Sequence, residues 1–123
     1  MLTTAAVTLA TDDGPMPGYL ARPDGTPKGG VIVVQEAWGV NSHTEDVARR
    51  FAAAGWDALA PALFHRQGPP VLDYDDRETV MPLLGQLTAE GLALDLAAAI
   101  DHLASAGHAA ANVAVVGFCM GGT

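Results

Sequence analysis

The sequence is poor in cysteine, in basic side chains and in long apolar runs, and each shortage excludes a class of protein. Its one cysteine, Cys119, cannot form a disulfide within the chain, which is typical of a reducing compartment and predicts a cytoplasmic location. Six Lys and Arg against 14 Asp and Glu give a net charge of −8. Because no basic run exists to contact a phosphate backbone, the composition disfavours nucleic-acid binding.

Recognisable targeting, membrane and cofactor segments are also lacking. The first four residues have neither the basic nor the apolar region of a signal peptide. No uninterrupted apolar stretch approaches the roughly 18 residues of a membrane span. Neither a metal-ligand cluster nor a phosphate-binding glycine loop is found. The sequence therefore predicts a soluble protein that contacts no membrane and holds no metal or cofactor.

Strand and helix signals alternate along the 123 residues, half of which are hydrophobic, enough for the core of one domain. Asp12-Asp13-Gly14 separates two short runs and predicts a hairpin. Continuous apolar runs bounded by glycine or proline predict buried parallel strands, and apolar residues at helical spacing predict helices. The predicted strands are 5–10, 16–22, 30–34, 56–60 and 113–118, and the predicted helices begin at 42, 78 and 88. This order is typical of an α/β fold.

The start of the first helix has a distinct signal. Ser42 and Glu45 match a capping box, in which each side chain binds a backbone amide of the first turn. Val47, Phe51 and Ala54 recur at helical spacing and are expected to face the core. In the last helix, near 88–105, Leu92, Leu96, Ile100 and Leu103 form the corresponding stripe.

The segment Gly117-Phe118-Cys119-Met120-Gly121 has the pattern of a nucleophile elbow, with cysteine as the nucleophile. The elbow is a tight turn between a strand and a helix, where side chains two residues either side of the nucleophile would clash. The valine-rich run before it is the strand that this motif requires. One alternative is a buried structural cysteine beside a glycine-rich turn. A dinucleotide-binding loop is disfavoured, because Cys119 stands where that motif needs glycine.

Two further segments complete a resemblance. Residues 35–41, Gln-Glu-Ala-Trp-Gly-Val-Asn, are similar to the Q-E-x-x-G-x-N signature of dienelactone hydrolases, the carboxymethylenebutenolidase family of α/β-hydrolases. Residues 60–68 resemble the P-x-L-[YF]-x-R-x-G loop of that family, and 117–122 its G-[YF]-C-x-G-G elbow. The resemblance implies the N-terminal portion of an α/β-hydrolase fold. Residues 1–123 would form a single incomplete domain, a mostly parallel sheet with an N-terminal hairpin that is truncated after the nucleophile-bearing strand.

The resemblance also implies roles for individual residues. Cys119 would attack the carbonyl carbon of a lactone or ester and form an acyl-enzyme, and Glu36 would control the ionisation of the thiol. The backbone amides of Ala37 and Met120 would form the oxyanion hole. Arg66 would bind a substrate carboxylate. A carboxylate at Glu36 would raise the pKa of the thiol unless they share a proton, so Glu36 is interpreted as a gate.

Each of these residues has a plainer alternative. Glu36 would otherwise be a solvated loop acid, and Trp38 and Phe64 would either line the substrate pocket or pack beside the core strands. Arg66 would otherwise pair at the surface with a nearby acid, Asp73, Asp75 or Asp76. The four histidines (His43, His65, His102 and His108) are not expected to supply the catalytic base.

The acid and the histidine of an α/β-hydrolase follow the nucleophile in the sequence, and are expected beyond Thr123. The first hypothesis is thus a hydrolase of carboxylate-bearing lactones or esters that is inactive without a C-terminal half. The alternatives are an esterase or thioesterase of the same fold, and a non-catalytic fragment that binds a partner or senses oxidants through Cys119. Expected partners are a small-molecule substrate and either the C-terminal half or a second copy pairing with a bare edge of the last strand.

Overall fold

A five-stranded mixed sheet forms the centre of the protein. The computed structural model describes residues 2–68, 71–109 and 112–117. The strands, in the order β1-β2-β4-β3-β5 across the sheet, are β1 (Thr3–Thr11), β2 (Gly14–Arg22), β3 (Gly30–Val34), β4 (Asp57–Pro61) and β5 (Val113–Gly117). Strands β3, β4 and β5 are parallel, and the β1–β2 hairpin extends them through an antiparallel β2–β4 pairing. The predicted α/β architecture with an N-terminal hairpin is confirmed.

The hairpin turn follows from its Asp-Gly sequence. Thr11 pairs with Gly14, whose φ of 107° lies in the left-handed region that glycine adopts without strain. The Thr11 hydroxyl donates a 2.6 Å hydrogen bond to the Gly14 carbonyl and accepts one from the Asp13 amide. These contacts fix the register of the two nine-residue strands.

Helices cover the two faces of the sheet. They are α1 (Ser42–Ala53), α2 (Arg77–Gln86) and α3 (Ala89–Ser105), with a single 3-10 turn at His65–Gln67. Alternate residues of β3 face opposite sides: Val31 and Val33 pack with Ala48 and Ala52 of α1, whereas Ile32 packs with Leu103 of α3. Two apolar layers therefore sandwich the sheet.

The start of α1 corrects one prediction. The cap is Asn41 and not Ser42: the Asn41 side-chain oxygen accepts hydrogen bonds from the backbone amide and the hydroxyl of Thr44, at 3.1 and 3.2 Å. Asparagine caps a helix as well as serine does, and its position one residue earlier makes Ser42 the first helical residue.

The predicted inner face of α1 is correct for Val47 and Phe51, which pack against the core, but not for Ala54. The buried residues are Thr44, Ala48 and Ala52, and Ala54 is exposed. The small side chains of Ala48 and Ala52 allow α1 to pack closely against the alanines of β4, whereas Val47 and Phe51 flank that contact. On α3, in contrast, the predicted leucine stripe packs on the core, with Leu103 buried.

Among the described residues, no single helix is long and apolar enough to cross a membrane. Helices α2 and α3 pass that test only as a pair, and an 87° bend separates them.

Candidate active site

The predicted site loops lie at the carboxyl ends of the parallel strands. The last residue pair between β3 and β5 is Val34 with Gly117, so the loop that begins at Gln35 leaves the sheet beside the residue that precedes Phe118. The loops that follow parallel strands all lie at the carboxyl end of the sheet, which is where α/β proteins bind ligands. Cys119 and Met120, the predicted nucleophile and second oxyanion donor, lie outside the described residues, as do the remaining elbow residues after Gly117.

The loop after β3 makes a tight turn around Ala37. The Glu36 carbonyl accepts a 3.3 Å hydrogen bond from the Gly39 amide, and Gly39 has a φ of 86°. The Gly39 carbonyl in turn accepts a hydrogen bond from the Asn41 amide. Glycine is needed at position 39 because other side chains are strained at this φ. The turn thus holds in place the backbone amide of Ala37, which was predicted to be an oxyanion donor.

The Glu36 side chain is partly buried. Its Oε1 lies 3.8 Å from Nε2 of His43, and 24% of its side-chain surface is exposed. This environment is compatible with the predicted gating role and also with the plainer alternative of a loop acid.

Gln35 links the two predicted loops, a role that sequence analysis missed. Its side chain is fully buried. The side-chain oxygen accepts a 2.7 Å hydrogen bond from the Leu63 amide, and Nε2 donates a 3.3 Å bond to the Glu36 carbonyl. Burying an amide is favourable only when its polar atoms are bonded, so these contacts hold the 60–68 loop against the Glu36 turn. The signal was a glutamine directly after a run of buried valines.

Arg66 contacts acids that are distant in the sequence. Its guanidinium binds both carboxylate oxygens of Asp95 on α3 at 3.0 Å, and binds Asp13 of the hairpin at 2.7–2.8 Å. The prediction of surface pairing with Asp73, Asp75 or Asp76 is therefore wrong about the partners. The Asp95 carboxylate, which accepts these hydrogen bonds, raises the pKa of Arg66.

A neighbouring glycine and histidine complete this network. A Cβ atom at Gly91 would lie 3.3 Å from Cζ of Arg66, so the glycine leaves room for the guanidinium above α3. His65 Nε2 lies 2.9 Å from Asp95 Oδ1, and both side chains are buried. Asp95 was also missed, although it lies on the predicted inner stripe of α3 between Leu92 and Leu96. A buried acid at such a position needs cationic or donor partners.

A second buried acid, Asp57, lies at the opposite, amino-terminal end of the parallel strands. His108 Nε2 is 2.7 Å from Asp57 Oδ2, and the Arg22 guanidinium donates to both oxygens of Asp57. Asp57 is the first residue of β4, whereas the predicted site follows the last residues of the strands. The position of Asp57 therefore separates this cluster from the predicted site.

The two predicted aromatic residues occupy different surroundings. Trp38 packs edge-on against Tyr74, with ring centroids 5.5 Å apart. Phe64 is fully buried and lines a cavity of about 200 Å³ that Trp38 does not border. The cavity also touches Gln35 and Val40, at the two ends of the loop that contains Glu36. It therefore lies between the two loops that the sequence predicted to form the site.

The match to a family extends over most of this arrangement. Residues 16–123 match the model of the Dienelactone hydrolase family. The chain belongs to the dienelactone hydrolase family. That match includes most of β2, all of β3, β4 and β5, both predicted loops and the elbow motif.

Individual relatives of this dienelactone hydrolase family member support the same assignment. A "Putative carboxymethylenebutenolidase" of Methylorubrum extorquens is 36% identical over 123 residues, and one of Escherichia coli K12 is 40% identical over 114. These alignments cover 98% and 87% of the chain. They cover 42% and 40% of the relatives, so the chain spans less than half the length of either.

Solved structures give the same result. A "Putative Dienelactone Hydrolase" from Klebsiella pneumoniae superposes with a TM-score of 0.87 at 34% identity, covering 97% of the chain and 50% of the Klebsiella protein. A dienelactone hydrolase-like promiscuous phosphotriesterase from metagenomic libraries superposes with a TM-score of 0.76 at 28% identity. The chain thus has the fold of the N-terminal portion of an α/β-hydrolase, in a family of hydrolases.

Proposed function

We propose that this chain supplies the nucleophile-bearing half of a hydrolase that cleaves carboxylic esters or lactones through Cys119. The observation that carries the proposal is the pairing of Val34 with Gly117, because it brings the Glu36 turn beside the strand that leads into the elbow motif. In an α/β-hydrolase, the nucleophile and the oxyanion donors lie close together because they follow neighbouring strands at the same end of the sheet.

The proposed chemistry has two steps. The Cys119 thiolate attacks the carbonyl carbon, and the amides of Ala37 and Met120 bind the resulting oxyanion. The carbon–oxygen bond to the alcohol then breaks as the alcohol oxygen takes a proton from the histidine expected in the C-terminal half. Water then attacks the thioester and releases the acid and the thiol. Glu36 is proposed to hold the thiol proton until substrate arrives.

The direct test joins residues 1–123 to the C-terminal half of the Klebsiella protein, whose N-terminal half superposes closely. This grafted protein is expected to hydrolyse phenyl acetate and a dienelactone, whereas residues 1–123 alone release no product above the buffer rate. Product release is measured spectrophotometrically, and circular dichroism establishes that the graft is folded. A folded graft that hydrolyses neither substrate would favour the non-catalytic alternative.

The proposed carboxylate recognition by Arg66 has its own test. Because Asp95 is buried, a substrate carboxylate would have to displace Asp13, which is about half exposed. In the graft, Arg66→Ala is expected to lower kcat/KM for the dienelactone about 10- to 100-fold, since charge-assisted hydrogen bonds are worth about 1.5–3 kcal/mol. The loss for neutral phenyl acetate should be several-fold smaller.

Arg50→Ala serves as the control, because Arg50 is 79% exposed and pairs only with Asp46 among the ion pairs of the described residues. Equal losses on both substrates in Arg66→Ala would remove Arg66 from substrate binding and leave it the purely structural role of joining α3 to the hairpin.

A further inference from the structure

The cavity beside Phe64 has the size of a small aromatic ring. We name it the hairpin cavity. Its volume is about 200 Å³, and its lining includes Ala6 and Tyr19 of the hairpin, Val40 and Glu45 near the start of α1, and Phe64 and Val71 after β4. An engineered apolar protein cavity of about 150 Å³ binds benzene. A phenyl-sized group therefore fits.

The lining of the hairpin cavity disfavours anions. Most of the lining residues are apolar, and the one acid among them is Glu45. The amide of Gln35, which also borders the cavity, is bonded to Leu63 and Glu36, so both of its ends are already occupied. An entering carboxylate would lose its hydration near a second negative charge, with no cation in the described lining to offset that cost.

One cation lies nearby, but its charge is engaged. Arg49 donates a 3.0 Å hydrogen bond to the Tyr19 hydroxyl, and another of its nitrogens lies 3.6 Å from Asp46. Its guanidinium carbon also lies 6.0 Å from the centroid of the Tyr19 ring. These contacts hold Arg49 against the outer end of Tyr19 and partly neutralise its charge.

We propose that the hairpin cavity binds an uncharged, phenyl-sized apolar group, the aryl or short acyl group of an ester. This inference rests on the proposed function for its substrate class. Gln35 and Val40 connect the cavity to the loop that carries Glu36 and Ala37, so a group held there belongs to a molecule lying between the two site loops. A carboxylate at Arg66 would be a separate part of the substrate, because Arg66 does not line the cavity.

Binding is tested without turnover, using benzamide and benzoate as probes of matched shape and different charge. In NMR titrations of the 123-residue chain, benzamide is expected to shift the resonances of Ala6, Tyr19 and Val71. Benzoate is expected to bind at least about tenfold more weakly because of Glu45. Because no step involves Cys119, failure of the hydrolase proposal would leave this result unchanged. Equal binding of the two probes, or shifts only elsewhere, would overturn the cavity assignment.

Two pairs of variants make the test specific. Ala6→Phe adds a ring at the cavity wall and should abolish benzamide binding, whereas Ala5→Phe, on the opposite face of the same exposed strand, should not. Glu45→Gln should reduce the difference in affinity between benzamide and benzoate. Glu90→Gln removes the same charge from the first turn of α3 and should leave that difference unchanged. Heteronuclear spectra verify that each variant is folded. Unchanged benzamide binding in a folded Ala6→Phe chain would refute the proposal.

The grafted enzyme then distinguishes the two sources of the apolar group. If the aryl alcohol occupies the cavity, Ala6→Phe should lower kcat/KM at least about tenfold for phenyl acetate and little for methyl benzoate. If the acyl group occupies it, the loss should fall on methyl benzoate. Loss on neither ester in an active graft would contradict a substrate-binding role of the cavity.

Discussion

Cys119→Ala is expected to lower the turnover of the grafted hydrolase by at least about 10⁴-fold, because it removes the atom that would form the acyl-enzyme. Oxyanion donors and binding contacts accelerate the reaction without a nucleophile, but leave only a small residual rate. Release of phenol from phenyl acetate is the measurement. A graft that keeps its activity after this substitution would show that Cys119 is not the nucleophile.

The acyl-enzyme itself gives an independent readout. Rapid mixing of the intact graft with phenyl acetate, followed by acid quenching and peptide mass spectrometry, should place one acetyl group on the peptide that contains Cys119. Cys119→Ala should eliminate that modified peptide while the melting temperature stays close to that of the parent. Acetylation of a different residue in the intact graft would redirect the mechanism to that residue.

Asp95→Ala is expected to lower the free energy of unfolding of the grafted protein by about 3 kcal/mol. Asp95 is fully buried and its carboxylate contacts both His65 and Arg66. Removing the acid leaves a histidine with 1% side-chain exposure and an arginine with 25% exposure without their shared partner. The midpoint of urea unfolding measures the effect.

Asp101→Ala is the matched control, because Asp101 lies on the same helix and is exposed. Its effect should stay within about 0.5 kcal/mol, as for most surface substitutions. Comparable shifts of the urea midpoint in the two variants would mean that the Asp95 carboxylate contributes no more to stability than a surface acid does. The difference between them isolates the energy of the buried contacts.

The sequence predicted the course of the chain because its strongest signals are local. Asp13-Gly14 specified the hairpin turn, and the valines of β3 specified a buried strand, since each depends on residues within a few positions. The start of α1 was harder to predict because Asn41 and Ser42 are both good caps. The face of α1 was harder still, because the close approach to the alanines of β4 decides which residues are buried.

The sequence predicted the parts of the candidate site that lie within short motifs. The segments around Glu36 and Phe64 do border one cavity, but the contacts of Arg66 did not follow from its neighbours. Asp13 lies 53 residues away in the sequence and Asp95 lies 29 away, whereas the acids predicted from the sequence were closer along the chain. Only the tertiary arrangement of the hairpin and α3 brings these charges together.

The side-chain amide of Gln35 couples the loop at Glu36 to the 60–68 loop, so the two are expected to vary together. Recombination that exchanged residues 60–68 with those of a relative would move the Leu63 amide, and with it the support of the turn at Glu36. Libraries that vary one loop alone would therefore disturb the other. Productive changes of specificity should arise where both segments and their connecting glutamine come from the same parent.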